Sequence, residues 1–126
     1  MNIEQLRREL KSQKVDIWQC DYFDISGRIQ VVTMLKQSRF RDKVKFKTAE
    51  NQIRIILKAI RKVGTDGYDV RIGIKILNGA TILTAIFSED VVNNTDWSKQ
   101  DIVWRDVSLG FNVASLLPGR PRWLDQ

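Results

Sequence analysis

The chain has 126 residues, 43% of them hydrophobic, with 21 Lys and Arg against 15 Asp and Glu, one cysteine and no histidine. That length and balance fit a single globular domain burying about two thirds of its unfolded surface, and they exclude a disordered, apolar-poor chain. A lone Cys20 excludes an intramolecular disulfide, and the lack of histidine removes the usual zinc ligand sets and the Ser-His and Cys-His pairs of most familiar hydrolases.

Apolar runs such as Ile55 to Leu57 and Ala114 to Leu117 fall far short of the about 20 residues of a membrane span. Met1 is not followed by the basic start and apolar middle of a secretory signal, so a cytoplasmic location is the expectation.

In chain order, Ile3, Leu6 and Leu10 stand at i, i+3 and i+7 among Glu4, Arg7, Arg8 and Lys11, which predicts a short amphipathic helix over 3–13. From Val15 the period changes to two. Trp18, Cys20 and Tyr22 fall on one side, Gln19 and Asp21 on the other, and Ser26-Gly27 turns the chain into Ile29 to Leu35, a first hairpin.

The charge then becomes uneven. Ten of the cations lie between Lys36 and Lys62 against only Asp42 and Glu50, so this block carries +8 while the remainder sums to −2. Within it Arg39, Arg41, Lys43, Lys45 and Lys47 occur at every second residue, with Phe40, Val44 and Phe46 among the residues between. This spacing predicts a third strand or an extended edge with a one-sided basic ribbon, spanning about 27 Å at the usual strand rise.

Thr48 is the expected N-cap of the next helix, in which Ile53, Ile56, Leu57 and Ile60 form an apolar stripe. Arg54, Lys58, Arg61 and Lys62 gather opposite that stripe, and Gly64 supplies the stop. A second hairpin follows from Tyr68 to Phe87 around Asn78-Gly79. A two-residue loop there puts Val70, Ile72, Ile74 and Ile76 on one face with Phe87, Ala85, Leu83 and Thr81, leaving Arg71, Gly73, Lys75, Ile82, Thr84 and Ile86 on the other. Thr95, Asp96 and Ser98 resemble a helix start, predicting a helix over 95–109 that ends at Gly110. The remainder, with Trp123, reads as a docked tail over 118–126.

The expected fold is therefore a single α+β domain over 1–126. An antiparallel sheet of four to five strands, two hairpins plus the basic strand, is covered by about three helices on one face. Helix, three strands and helix over 3–63 is similar in element order to double-stranded-RNA-binding domains. The likeness stops there, because that family's Gly-rich turn and Lys-Lys-x-Ala-Lys helix entry have no counterpart between Thr48 and Gln52.

Two functional readings compete. In the first, Arg39, Arg41, Lys43, Lys45, Lys47, Arg54, Lys58, Arg61 and Lys62 contact phosphates, making a non-enzymatic DNA- or RNA-binding protein; Trp18, Tyr22 and Phe23 could add a stacking surface. The bland counterpart is edge protection by lysines and an ordinary solvated helix face. In the second, Trp97, Trp104, Phe111 and Trp123 form a subunit interface of a homo-oligomeric structural protein, such as a virion component. Core packing explains the same four aromatics equally well. The close carboxylates Asp21 with Asp24, Glu89 with Asp90 and Asp101 with Asp106 complete no nuclease pattern. No catalytic set, metal, cofactor or small-molecule substrate is assigned.

Overall fold

The computed structural model describes residues 2–23, 25–35, 44–76 and 79–125. Its first element, α1 (Ile3–Ser12), begins where the Asn2 side chain accepts from the Gln5 amide at 3.0 Å, and it buries Leu6 and Leu10. The chain then forms β1 (Asp16–Phe23) and β2 (Arg28–Leu35), an antiparallel pair. At the turn between them Gly27 takes φ +64°, a left-handed conformation that favours glycine.

The helix α2 (Phe46–Val63) carries the chain across the sheet to β3 (Asp69–Ile76), which runs parallel to β2 from Arg28 opposite Asp69 to Leu35 opposite Ile76. The strand β4 (Thr81–Phe87) returns antiparallel to β3. It is followed by the short helices α3 (Glu89–Asn94) and α4 (Trp104–Val107), then β5 (Gly110–Val113) antiparallel to β4. A 3-10 turn over Arg122–Asp125 ends the described chain. The fold is thus α+β, with strand order β1-β2-β3-β4-β5, mostly antiparallel with one parallel pair at its centre. That pair is parallel because a helix, and not a hairpin, links its strands.

The core lies between one face of the sheet and the helices. Ile29, Val31 and Leu35 of β2, Val70, Ile72 and Ile74 of β3, and Leu83, Ala85 and Phe87 of β4 meet Ile53, Ile56, Leu57 and Ile60 of α2. Trp97 and Trp104 are also fully buried, their rings stacked 5.8 Å apart at an interplanar angle of 2°, both edge-on to Phe87. Phe111 continues the stack on Trp104 at 6.0 Å, and Trp123 closes on Phe111 and Phe46. The C-terminal segment is therefore docked on its own chain, and the Arg105 guanidinium donates to the Trp123 carbonyl at 2.5 Å.

Several sequence expectations change in the structure. Residues 36–43 of the ribbon, with Arg39, Arg41 and Lys43, lie outside the described residues. Of its described end, Phe46 and Lys47 are helical. Lys45 is the N-cap of α2 in place of Thr48, although its side chain makes no capping bond. Packing overrides the alternation here: Phe46 is buried against Phe111 and Trp123, and its amide donates to the Pro118 carbonyl at 2.8 Å. Among the described residues the fifth strand is Gly110–Val113 and two strands precede α2; the expected basic strand lies mostly outside the described residues.

No single helix spans 95–109. Ser88 caps α3, and the Asp96 side chain accepts from the Ser98 amide at 3.0 Å, a local turn that competes with helix. The Trp97 indole then bonds back to the Val92 carbonyl at 3.0 Å. In the second hairpin the expected register holds from Val70 opposite Phe87 to Ile74 opposite Leu83. It then shifts, so that Lys75 faces Thr81 and Ile82 becomes an extra, buried residue.

Candidate functional site

Each strand of this sheet has two faces, and the helices take one of them. Opposite the core the register lines up Gln19, Asp21 and Phe23 of β1, Arg28, Gln30 and Val32 of β2, Asp69, Arg71 and Gly73 of β3, and Thr84 and Ile86 of β4. α1, α2 and the aromatic stack pack on the other side, so among the described residues this face is covered by no helix.

Trp18 enters this face through an irregularity of register. The β1 ladder shifts between Ile17 and Gln19, which separates Trp18 from Cys20, its expected companion. Cys20 enters the core at 2% exposure, whereas Trp18 remains 60% exposed. The Lys75 ammonium reaches over the indole, 4.9 Å from the ring centroid, an arrangement favoured by the negative face of the aromatic ring.

Beneath them is a hollow of about 210 Å³ lined by Trp18, Gln19, Gln30, Arg71, Gly73 and Lys75, among others. Gly73 makes its floor. Lacking a side chain, it leaves open the space above the sheet where a Cβ would meet only Val32, at 3.4 Å. The Gln30 amide donates to the Gln19 carbonyl oxygen at 3.0 Å, leaving one amide group of each partner unused by that bond. A second depression, lined by Phe23, Ile25, Ser26, Arg28, Gln30 and Arg71, shares Gln30 and Arg71 with the first. The two form one polar trough with an aromatic residue toward each end.

The trough is electropositive. Arg28, Arg71 and Lys75 take part in none of the ion pairs among the described residues. Of the carboxylates on this face among the described residues, Asp21 is neutralised by the Arg7 guanidinium at 2.7 Å, while Asp69 accepts from the Glu89 amide at 3.2 Å and keeps its charge, one against the three cations. No protein-family model, curated protein or solved structure matches this chain, so the site stands on its own geometry.

The cations singled out from sequence are placed differently. Arg54 is only 5% exposed. It donates to the backbone carbonyls of Trp97 and Lys99, stands 3.7 Å from Glu50, and lies over the Trp104 ring at 5.2 Å. Arg54 is therefore an internal strut and cannot contact a phosphate without leaving the core. Lys58, Arg61 and Lys62 are exposed on the helix layer, away from the trough. Arg61 donates to the Thr95 carbonyl at 2.9 Å and Lys62 pairs with Glu9 at 3.2 Å. Lys45 and Lys47 are exposed at the start of α2.

Of the aromatic set, Trp97 and Trp104 are inside the chain's own core and unavailable as an interface, while Phe111 and Trp123 are half-buried against it. Among the described residues no group of three His, Cys, Asp or Glu could hold a metal ion. No described helix is long and apolar enough to cross a membrane.

The basic residues of the trough escape a reading of the sequence because they lie outside the dense charge block. A usable signal is nonetheless present. Arg71, Gly73 and Lys75 alternate with Val70, Ile72 and Ile74, a polar, cationic face with a gap at its centre.

Proposed function

We propose that this protein binds nucleic acid without catalysing a reaction, and that its contact surface is the open face of the sheet. The observation that carries this reading is the trough itself, in which Arg28, Arg71 and Lys75 surround exposed aromatic rings on a face that no helix covers among the described residues. Cations outside the protein's own ion pairs can neutralise phosphates and release counterions, giving affinity without sequence preference. The net charge of +6 favours approach of any polyanion. The exposed helix-layer lysines, Lys58 among them, widen the positive field from the other side.

The test is binding of labelled DNA and RNA over a salt series. Log Kd should change linearly with log salt, and every phosphate left without its cation should reduce the slope by about 0.7 for single strands or about 0.9 for duplex DNA. Arg71→Gln with Lys75→Gln should lower the slope, while Lys58→Gln with Lys62→Gln should leave it nearly unchanged. The reverse pattern would move the surface to the helix layer, and no binding at low salt would end the reading.

Self-assembly is the rival. With Trp97 and Trp104 enclosed, it rests on Phe111, Trp123 and the exposed Leu116. A mass that rises with protein concentration in light scattering, without any nucleic-acid binding, would favour it.

A further inference from the structure

Resting on the nucleic-acid reading, we infer that the trough takes a single strand whose unpaired bases stack on Trp18 and Phe23. A duplex offers phosphates at its surface, but its bases are stacked on one another and closed to a protein ring. Only an unpaired strand can present base faces to aromatic side chains.

Both rings are accessible, Trp18 at 60% and Phe23 at 42% exposure. They stand five residues apart on β1, about 16 Å at the usual strand rise, and the cations lie alongside in β2 and β3. Arg28 and Arg71 line the Phe23 end of the trough, and Lys75 lies over the indole at the other. This spacing suits a chain that alternates flat rings with negative charges.

Lys75 lies over one face of the indole, 4.9 Å from its centroid, and restrains the ring before any ligand arrives, which reduces the side-chain entropy lost when a base stacks on the opposite face. The hollow above Gly73 supplies depth for a base beside the ring. The unused amide groups of Gln19 and Gln30 are placed to bond a base edge.

The experiment compares an oligothymidylate of about 15 nucleotides, near the upper end of single-domain site sizes, with a duplex of equal length, using fluorescence anisotropy. Single strand should bind more tightly than duplex at equal salt. Trp18→Ala and Phe23→Ala should each weaken the single strand by about 5- to 150-fold, as expected when one base no longer stacks, and leave the salt slope unchanged. Trp18→Tyr should recover most of the affinity. Gly73→Val, which fills the hollow on a strand that accepts β-branched residues, should weaken binding without lowering the unfolding midpoint.

Equal affinity for both forms, or Trp18→Ala and Phe23→Ala without effect, would overturn stacking and leave the phosphate-binding reading standing. Absence of all binding at low salt would remove both.

Discussion

Replacing Arg54 by alanine separates an internal strut from a phosphate contact. The guanidinium donates to two backbone carbonyls, stands 3.7 Å from Glu50 and lies 5.2 Å from the Trp104 centroid. Bonds from a charged donor contribute about 1.5–3 kcal/mol each, and a desolvated cation–π contact adds about 2 kcal/mol. Against this gain stands the desolvation of the cation, whose Nε and Nη2 have no hydrogen-bond partner. Removing one member of a buried ion pair has a net cost of about 3–5 kcal/mol. Glu50 keeps the Trp104 indole as a donor at 2.7 Å, which places the expected loss at the lower end, about 3 kcal/mol. With a urea dependence of about 1–3 kcal/mol per molar, the midpoint should fall by roughly 1–3 M. The fluorescence of the buried Trp97 and Trp104 reports the transition. Arg54→Met should recover part of the stability by filling the space. An Arg54→Ala protein with an unchanged midpoint and weakened nucleic-acid binding would refute the argument and return this guanidinium to the surface.

At Gly73 an added Cβ meets Val32 at ordinary contact distance, and the backbone is not left-handed. Gly73→Ala should therefore stabilise the protein by about 0.5–1 kcal/mol through reduced unfolded-state freedom; a lower melting temperature would show that the floor of the hollow is already filled. Burial pushes the Cys20 thiol up to about 11 from its ordinary 9.0, against the Arg7 guanidinium, which pulls it down. The unfolded thiol loses its proton first, so this contribution is whole below pH 9 and is lost as pH rises through 11. The stability difference between wild type and Cys20→Ala should shrink across that interval, and a thiol reagent at neutral pH should react only with the unfolded protein. Rapid labelling of the native protein would contradict the burial.

What the sequence discloses depends on whether local pattern and tertiary packing agree. The Leu6 and Leu10 stripe, the Ile53 to Ile60 stripe and the alternation of β3 and β4 are legible because each buries the face its period implies. Phe46 misleads because a buried ring and a bond to Pro118 extend the helix into residues that alternate like a strand. Arg54 occupies a helix position that looks solvated, and the segment that encloses it begins more than forty residues later, at Trp97. Trp18 pairs with Cys20 by period alone, and nothing local announces the shift between Ile17 and Gln19. Charge density also draws attention to Lys36 through Lys62, although a cation contributes to a site through its direction and freedom, properties decided by the fold.

The parallel seam between β2 and β3 has a kinetic meaning. On one side stand α1, β1 and β2, on the other β3, β4 and β5, and the strands of the two halves join along a ladder that cannot close until the chain from Leu35 to Asp69 has come round. A hairpin alone is marginal in water, and distant pairings form late. The hollow straddles this seam, with Gln30 and Val32 on one bank and Arg71 and Gly73 on the other. A half-assembled chain therefore has no trough, and whatever occupies the trough acts as a clasp, slowing the separation of the two halves.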